Sequence, residues 1–154
     1  MTKGEALNLF SNLSEISGIT KTKFNFAIAR NISILKPEIM ALQKALEGTK
    51  EFKEVDKKRI ELAEKHSQKD ANGKPVMFQN RYILKDQAGF EKELEELKAK
   101  DKKIWAEREK QVEEYDELLK TKSDFKPYKL NMKDVPEDLE TTVMKAVYPL
   151  LDEK

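Results

Sequence analysis

The chain contains no cysteine and a single histidine, His66, among its 154 residues. Without cysteine it cannot form disulfide bonds, a thiol nucleophile or a zinc–thiolate site. His66 follows Glu64 and Lys65, which is typical of a solvated helix end, and no partner residues at catalytic or metal-ligand spacing accompany it. No acidic loop with calcium-binding spacing is present either. We therefore expect no enzyme activity, catalytic residue, metal, cofactor or small-molecule substrate.

Long apolar runs are also missing. No run approaches the roughly 18 residues that a membrane span needs, and Met1–Leu7 lacks the apolar region of a signal peptide. Charged residues make up 38% of the chain and the net charge is +1, so the surface is large but carries both signs. This composition favours elongated helices over a compact α/β domain. We expect a soluble cytoplasmic protein with no membrane partner.

Nucleic-acid binding is an alternative that the charge pattern supports only locally. Lys21, Lys23 and Arg30 lie near Phe24 and Phe26, but acidic residues interleave with basic ones in the second half of the chain. A strong counterion-release footprint needs an uninterrupted basic stripe. We therefore do not expect nucleic acid as the main partner.

The dominant pattern is helical and covers residues 22–66. Apolar residues recur there in steps of four and three, which places them on one face of an α-helix. The stripe stays in phase across Pro37, which favours one bent helix at that point, whereas continuity through Gly48 is left open. The stripe comprises Phe24, Ile28, Ile32, Leu35, Ile39, Leu42 and Leu46.

A second periodic run covers residues 87–120, with Asp86 as its expected N-cap. Asp101 and Arg108 stand where a heptad pattern requires apolar residues, which indicates a solvent-facing middle. The two runs predict a long antiparallel helical hairpin with coiled-coil character, in which Phe24 and Leu94 are core residues. The stripe of the second run comprises Phe90, Leu94, Leu97, Ile104, Val112, Tyr115 and Leu118 or Leu119.

The remaining segments predict a compact base for this hairpin. The turn at 70–75 is followed by a β-hairpin over 76–84, with Gln79 and Asn80 at its turn, and residues 128–132 are the candidate third strand. A short N-terminal helix and a helix beginning at Pro136 are expected to pack around this sheet. The fold class is therefore mainly α with a small β-sheet (α+β). We expect a single domain over 1–154, with the hairpin at 22–66 and 87–120 and the base at 1–20, 70–86 and 125–154.

The candidate interface is the distal half of the hairpin. Trp105, the only tryptophan, falls beside the main stripe, and an exposed tryptophan on a helix is a typical interface anchor. The alternative is that Trp105 covers the flank of its neighbouring helix. Leu42, Leu46 and Phe52 are the expected neighbours of the interface on the opposing arm. We predict that Trp105→Ala weakens association while changing stability by less than about 1 kcal/mol. The predicted interface residues are Ile104, Trp105, Arg108 and Val112.

Several motifs, in the same order, resemble a family of small phage and prophage proteins of unknown function. The family pattern begins with K-F-x-Y-A-[IV]-A-[RK]-N and L-x-P-E, followed by a charged helix. It continues with a K-D-x-N-G-K-P turn, a short strand, D-x-x-x-F-x-K-E-L-E-E-L and a closing strand-to-helix element. This chain departs from the pattern at about Lys98–Asp124, where its second helical run is longer. The matching segments are Lys23–Asn31, Leu35–Glu38, Lys69–Pro75, Asp86–Leu97 and Leu130–Pro136.

The resemblance implies a phage origin and supplies no activity. Together with the helical hairpin it leads us to expect a non-enzymatic interaction protein in the host cytoplasm, with association with the virion as a further expectation. The expected partner is a phage or host protein, and self-association is left open. The leading expectation is an accessory or virion-assembly factor. The alternatives are an inhibitor of a host defence system that acts by protein binding, and a nucleic-acid-binding protein.

Overall fold

The computed structural model describes residues 1–152 and is mainly helical, with one small antiparallel sheet. The helices are α1 (Lys3–Ser14), α2 (Thr22–Leu46), α3 (Lys50–Lys65), α4 (Gln87–Lys100), α5 (Lys102–Lys120) and α6 (Thr141–Val147), and the strands are β1 (Met77–Phe78) and β2 (Arg81–Tyr82). The chain divides into two compact units. The first unit joins Met1–Leu46 to the chain from Glu113 onward, and the second unit is Glu47–Val112.

The first unit is built on α1 and α2, which pack against each other. Helix α1 begins with the predicted capping box: Thr2 Oγ1 accepts from the Glu5 N–H at 3.2 Å, and Glu5 Oε2 accepts from the Thr2 N–H at 2.7 Å. Helix α2 runs without interruption through Pro37, whose side chain lies on the exposed face of the helix. The predicted continuity at this proline is confirmed.

The hydrophobic core of the first unit follows the predicted stripe of α2. Most of the predicted residues are fully buried, while Ile32 and Leu46 are half-buried. Residues from α1 and from the chain after Glu113 complete the core. Its buried apolar side chains are Ala6, Leu9, Leu13, Phe24, Ala27, Ile28, Leu35, Ile39, Leu42, Leu130, Val135, Val147, Leu150 and Leu151.

The second unit contains α3, α4 and the first half of α5. Helix α3 begins after Gly48, with Thr49 Oγ1 accepting from the Phe52 N–H at 3.1 Å, so the helical run over 22–66 is two helices. The second helical run is also divided, because the chain leaves helical geometry at Asp101. Helix α3 packs against α4, and Lys65 at the end of α3 contacts Glu93 of α4. Phe52 near the beginning of α3 contacts Trp105 of α5, so the chain through α4 and the first turn of α5 runs antiparallel to α3.

The β-hairpin of the second unit has the predicted turn, with Gln79 and Asn80 both at positive φ (47° and 61°). Two such residues form the tight turn that matches the twist of antiparallel strands. The prediction of a third strand at 128–132 is wrong. That segment belongs to the first unit, where Leu130 is buried and pairs with the backbone of Leu150 and Asp152, while Tyr128 and Met132 are exposed. The alternating pattern therefore reflects one buried side chain and not a sheet.

Two further predictions about helices and core are corrected. The C-terminal helix begins at Thr141 and not at Pro136, because residues 137–138 form a turn that separates the proline from the helix. Leu94 is half-buried and not a core residue, because α3 covers only one side of α4. Helices α1 and α6 pack on each other in the first unit, whereas the β-hairpin belongs to the second.

Over residues 1–152, no helix combines the length and the apolar content that crossing a membrane requires.

Candidate functional site

The predicted interface residues lie on the first three turns of α5, and three of them surround Phe52 of α3. The rings of Trp105 and Phe52 meet edge to face, with centroids 5.5 Å apart and planes at 86°. The Arg108 guanidinium carbon lies 4.9 Å from the centroid of the Phe52 ring, and Ile104 lines the same shallow groove of about 160 Å³. We call Phe52, Ile104, Trp105, Arg108 and Gln111 the Phe52 cluster.

Polar contacts hold the Phe52 cluster in place at the beginning of α3. Arg108 Nη1 donates to Gln111 Oε1 at 2.8 Å, and Gln111 Nε2 donates to the Glu47 carbonyl at 3.0 Å. The Arg108 guanidinium therefore lies over the Phe52 ring, where cation–π attraction contributes, and the Gln111 side-chain amide accepts a hydrogen bond from it. The structure thus brings Ile104, Trp105 and Arg108 together.

Trp105 has one unusual feature, which is its indole N–H. The Trp105 Nε1 atom is buried, and it has no hydrogen-bond acceptor in the part of the chain that the structure describes. A buried donor without an acceptor destabilises a fold by about 1–3 kcal/mol.

The other predicted neighbours are distributed differently. Val112 is exposed, whereas Leu42 is buried in the hydrophobic core of the first unit. Phe52, one of the residues expected opposite Trp105, is in contact with it. The sequence indicated Phe52 as a neighbour of Trp105 because Phe52 continues the helical stripe after Gly48.

His66 has surroundings that differ from the solvated helix end expected from the sequence. Only 9% of its side chain is exposed, and both ring nitrogens face carboxylates: Nδ1 lies 3.0 Å from Asp86 Oδ2 and Nε2 lies 3.1 Å from Glu93 Oε1. An imidazolium donates from both nitrogens, so its charged form satisfies both contacts. Lys65 Nζ approaches the same Glu93 carboxylate at 2.6 Å. Both carboxylates lie distant in sequence from His66, so no local pattern could reveal them.

The arrangement around His66 joins the end of α3 to the beginning of α4. His66 caps the C-terminus of α3, and Asp86 caps α4 by accepting from the Gly89 N–H at 3.0 Å. Gly89 allows this approach, since a Cβ there would collide with the Asp86 carboxylate and lie 2.8 Å from His66 Cε1. The two imidazole nitrogens therefore connect the end of α3 to carboxylates at the beginning and in the middle of α4, so this cluster acts as a structural staple.

Because Asp86 and Glu93 belong to this staple, the free energy of unfolding depends on pH in the acid range. The hydrogen bond from the Gly89 N–H, with further help from His66, lowers the pKa of Asp86 below its ordinary value. The hydrogen bond from Lys65, and then that from His66, lowers the pKa of Glu93. A carboxyl group whose pKa is lower in the folded state than in the unfolded state stabilises the fold at pH values above its unfolded pKa. This stabilisation is lost as the pH falls through the pKa of the folded state.

We therefore expect the stability difference between the wild type and Asp86→Asn to be largest at neutral pH. Asparagine still caps a helix, so the substitution removes mainly the charge. The difference should shrink as the pH falls below the pKa of an unfolded aspartate, about 4, and on towards the lower pKa of Asp86 in the folded protein. Denaturation at several pH values, followed by the fluorescence of Trp105 in the same unit, measures it. A difference that stays constant from neutral pH to pH 3 would contradict this account.

Asn31 is the second residue whose importance the sequence did not reveal. It is fully buried on α2, where its Nδ2 donates to the carbonyls of Ala27 at 2.8 Å and Tyr128 at 2.9 Å. Its Oδ1 accepts from the Tyr128 N–H at 2.9 Å. One side chain therefore holds the irregular segment around Tyr128 on α2. The periodicity places Asn31 on the buried face of the helix, and that is the only signal in the sequence.

No group of three or more His, Cys, Asp or Glu side chains within residues 1–152 is arranged to hold a metal ion. Comparison of the chain with known protein families, with curated proteins and with solved structures finds no match in any of the three.

Proposed function

We propose that this chain is a non-enzymatic interaction protein, that it acts through its second unit, and that Trp105 anchors the contact. The observation that carries the proposal is how little of the second unit is buried. Within residues 47–112, all of which the structure describes, Val55 is the one apolar side chain that is fully buried. The first unit, in contrast, buries a continuous core.

The helices of the second unit retain an apolar stripe that the unit itself covers incompletely. Phe90, Leu94, Leu97 and Ile104 are half-buried, and α4 and α5 contain no fully buried residue. On the β-hairpin, Met77 and Phe78 are mostly exposed. Covering such apolar surface is favourable, and exposed apolar patches of this kind mark protein interaction sites.

The Phe52 cluster supplies the anchor that such an interface requires. Interfaces are dominated by a few tryptophan, tyrosine and arginine side chains, and Trp105 and Arg108 lie one turn apart on α5. The unpaired indole N–H favours the same interpretation, because a small shift on binding would let it meet an acceptor from a partner.

The proposal takes its biological setting from the resemblance to phage proteins. We propose an accessory or virion-assembly factor in the host cytoplasm, and inhibition of a host defence system through the same surface is the second candidate. Affinity capture from infected and uninfected cells separates these two candidates. Phage structural proteins among the captured partners would support assembly, and a host nuclease or defence sensor would support inhibition.

We expect Trp105→Ala to reduce partner capture at least about tenfold, which corresponds to about 1.4 kcal/mol. The cost in stability should stay near or below about 1 kcal/mol, because losing the edge-to-face contact is offset by removing an unpaired donor. Capture yield and thermal melting measure the two effects.

Lys103→Ala is the matched control, because Lys103 is highly exposed and lies two residues from Trp105, on another side of α5. It should leave both capture and melting unchanged. If Trp105→Ala unfolds the second unit, or if it captures partners as well as the wild type does, Trp105 is not the anchor.

A further inference from the structure

Two large aromatic side chains of the first unit are exposed next to each other, although neither is needed for its core. Phe26 on α2 is 58% exposed and Tyr128 is 44% exposed. Their rings meet edge to face with centroids 5.7 Å apart and planes at 81°. Phe24, two residues before Phe26, is fully buried, so the helix already has its core aromatic residue. We call Phe26 and Tyr128 the aromatic platform.

The backbone beneath the aromatic platform is held firmly. Phe26 lies within the first two turns of α2, and the Asn31 side chain binds both the N–H and the carbonyl of Tyr128. Leu130, two residues on, is buried and donates its N–H to the Leu150 carbonyl at 2.8 Å. A ligand that stacks on these rings would therefore meet a preformed surface and would not have to order a loop.

Lysine side chains line the groove that contains the platform. Its volume is about 530 Å³, and its charged lining residues are Lys23, Lys129, Lys133 and Asp134. Lys23 Nζ lies 3.8 Å from Asp134 Oδ1, but 76% of the Lys23 side chain remains exposed. The groove therefore carries a net positive charge, in a chain whose net charge is only +1.

We propose that this groove binds single-stranded nucleic acid, with a base stacked on Phe26 or Tyr128 and the adjacent phosphates near Lys23, Lys129 and Lys133. Exposed aromatic rings beside a positive groove are the recognition chemistry of single strands, because every base has a face that can stack. Duplex nucleic acid keeps its bases stacked on one another, so it cannot use the rings. This site lies in the first unit and is independent of the protein interface proposed for the second.

Three lysines predict a weak and moderately salt-dependent site. Each phosphate contact on a single strand contributes about −0.7 to the slope of log affinity against log salt, so we expect a slope of about −2. The fluorescence anisotropy of labelled oligothymidylate and oligouridylate, titrated with the full chain at several salt concentrations, measures this slope. A labelled duplex of the same length should bind at least about tenfold more weakly, because stacking accounts for much of the affinity.

Substitutions in the platform should separate stacking from charge. Phe26→Ala and Tyr128→Ala should each weaken oligonucleotide binding at least about tenfold at constant salt, whereas Tyr128→Phe should bind like the wild type. Asp134→Asn removes the acidic group from the groove and should strengthen binding. Met40→Ala is the matched control, since Met40 is an equally exposed apolar residue of α2 outside the groove, and it should change nothing.

The outcomes distinguish this site from the interface of the second unit. Trp105→Ala should leave oligonucleotide binding unchanged, so failure of either proposal can be seen separately. Loss of binding in Tyr128→Ala counts only if thermal melting is retained and Tyr128→Phe restores affinity. The proposal is overturned if the wild type does not bind the oligonucleotides at low salt, if duplex binds equally well, or if both alanine variants bind normally. In the last two cases the exposed rings serve some other contact.

Discussion

Replacing Phe24 with alanine is expected to lower the free energy of unfolding of the first unit by about 3–5 kcal/mol. Phe24 is 0% exposed and is the largest of the fully buried side chains. It belongs to the cluster that joins α1, α2 and the chain after Glu113. Removing its ring leaves a cavity at the point where these three parts meet. Because the interior packs tightly, neighbouring side chains can fill such a cavity only in part.

Phe26→Ala is the matched control for this prediction. It removes the same ring two residues along the same helix, but from a position that is mostly exposed. We expect a loss of no more than about 1 kcal/mol, because the edge-to-face contact with Tyr128 is lost but no cavity forms in the core. Similar melting of the two variants would contradict the assignment of the core. Leu94→Ala should cost less than Phe24→Ala, because Leu94 is only half-buried.

The choice of probe matters for these measurements. The only tryptophan, Trp105, lies in the second unit, so its fluorescence reports on that unit directly. Far-UV circular dichroism follows the helices of both units, and the two signals need not coincide when a chain has two compact units. Phe24→Ala should therefore move the circular dichroism transition, and tryptophan fluorescence should show whether the second unit unfolds with it.

Asn31→Ala is the second substitution with a large expected effect, at about 3 kcal/mol. It removes three hydrogen bonds of about 1 kcal/mol each and leaves the Tyr128 N–H and carbonyl without their partner. Amide hydrogen exchange gives a specific readout, because the Tyr128 N–H should exchange much faster in the variant. Asn31→Asp should be at least as damaging, because it retains the acceptor but buries a charge and loses both donated bonds.

Asn25→Ala is the control for Asn31. Asn25 lies on the same helix and makes one exposed hydrogen bond, from its Nδ2 to the Ile19 carbonyl at 2.6 Å. Its removal should cost no more than about 1 kcal/mol. If Asn31→Ala is no worse than this control, or if the Tyr128 amide remains protected, water or another group must replace the asparagine side chain.

The helices could be predicted wherever their signals are local. The stripe of α2 from Phe24 to Leu42 predicted its buried face, and the capping residues Thr2 and Asp86 stand within three residues of the N–H groups that they bind. The turn at Gln79 and Asn80 was predictable for the same reason, since positive φ at both positions follows from the hairpin geometry. Each of these features depends on residues that are neighbours in sequence.

The predictions were wrong where contacts with residues distant in sequence decide the structure. Tyr128, Leu130 and Met132 alternate as in a strand, but Asn31 and the backbone of Leu150 decide where that segment lies. His66 looks solvated from its neighbours, yet two carboxylates from the beginning and middle of α4 enclose it. From the sequence, Asp101 was interpreted as a polar residue within one continuous helix. In the structure it is the residue at which α4 ends.

By itself, the sequence determined that this chain is mainly helical, which faces of α1 and α2 are buried, and where the hairpin turns, because periodicity and capping act over a few residues. Tertiary structure alone decided that the apolar residues divide between a well-buried first unit and an open second unit. It also decided that Phe26 and Tyr128 stand together at the surface, and that Trp105 lies on Phe52 with its N–H unpaired. These features depend on contacts between residues far apart in the chain, whose pairing no local pattern encodes.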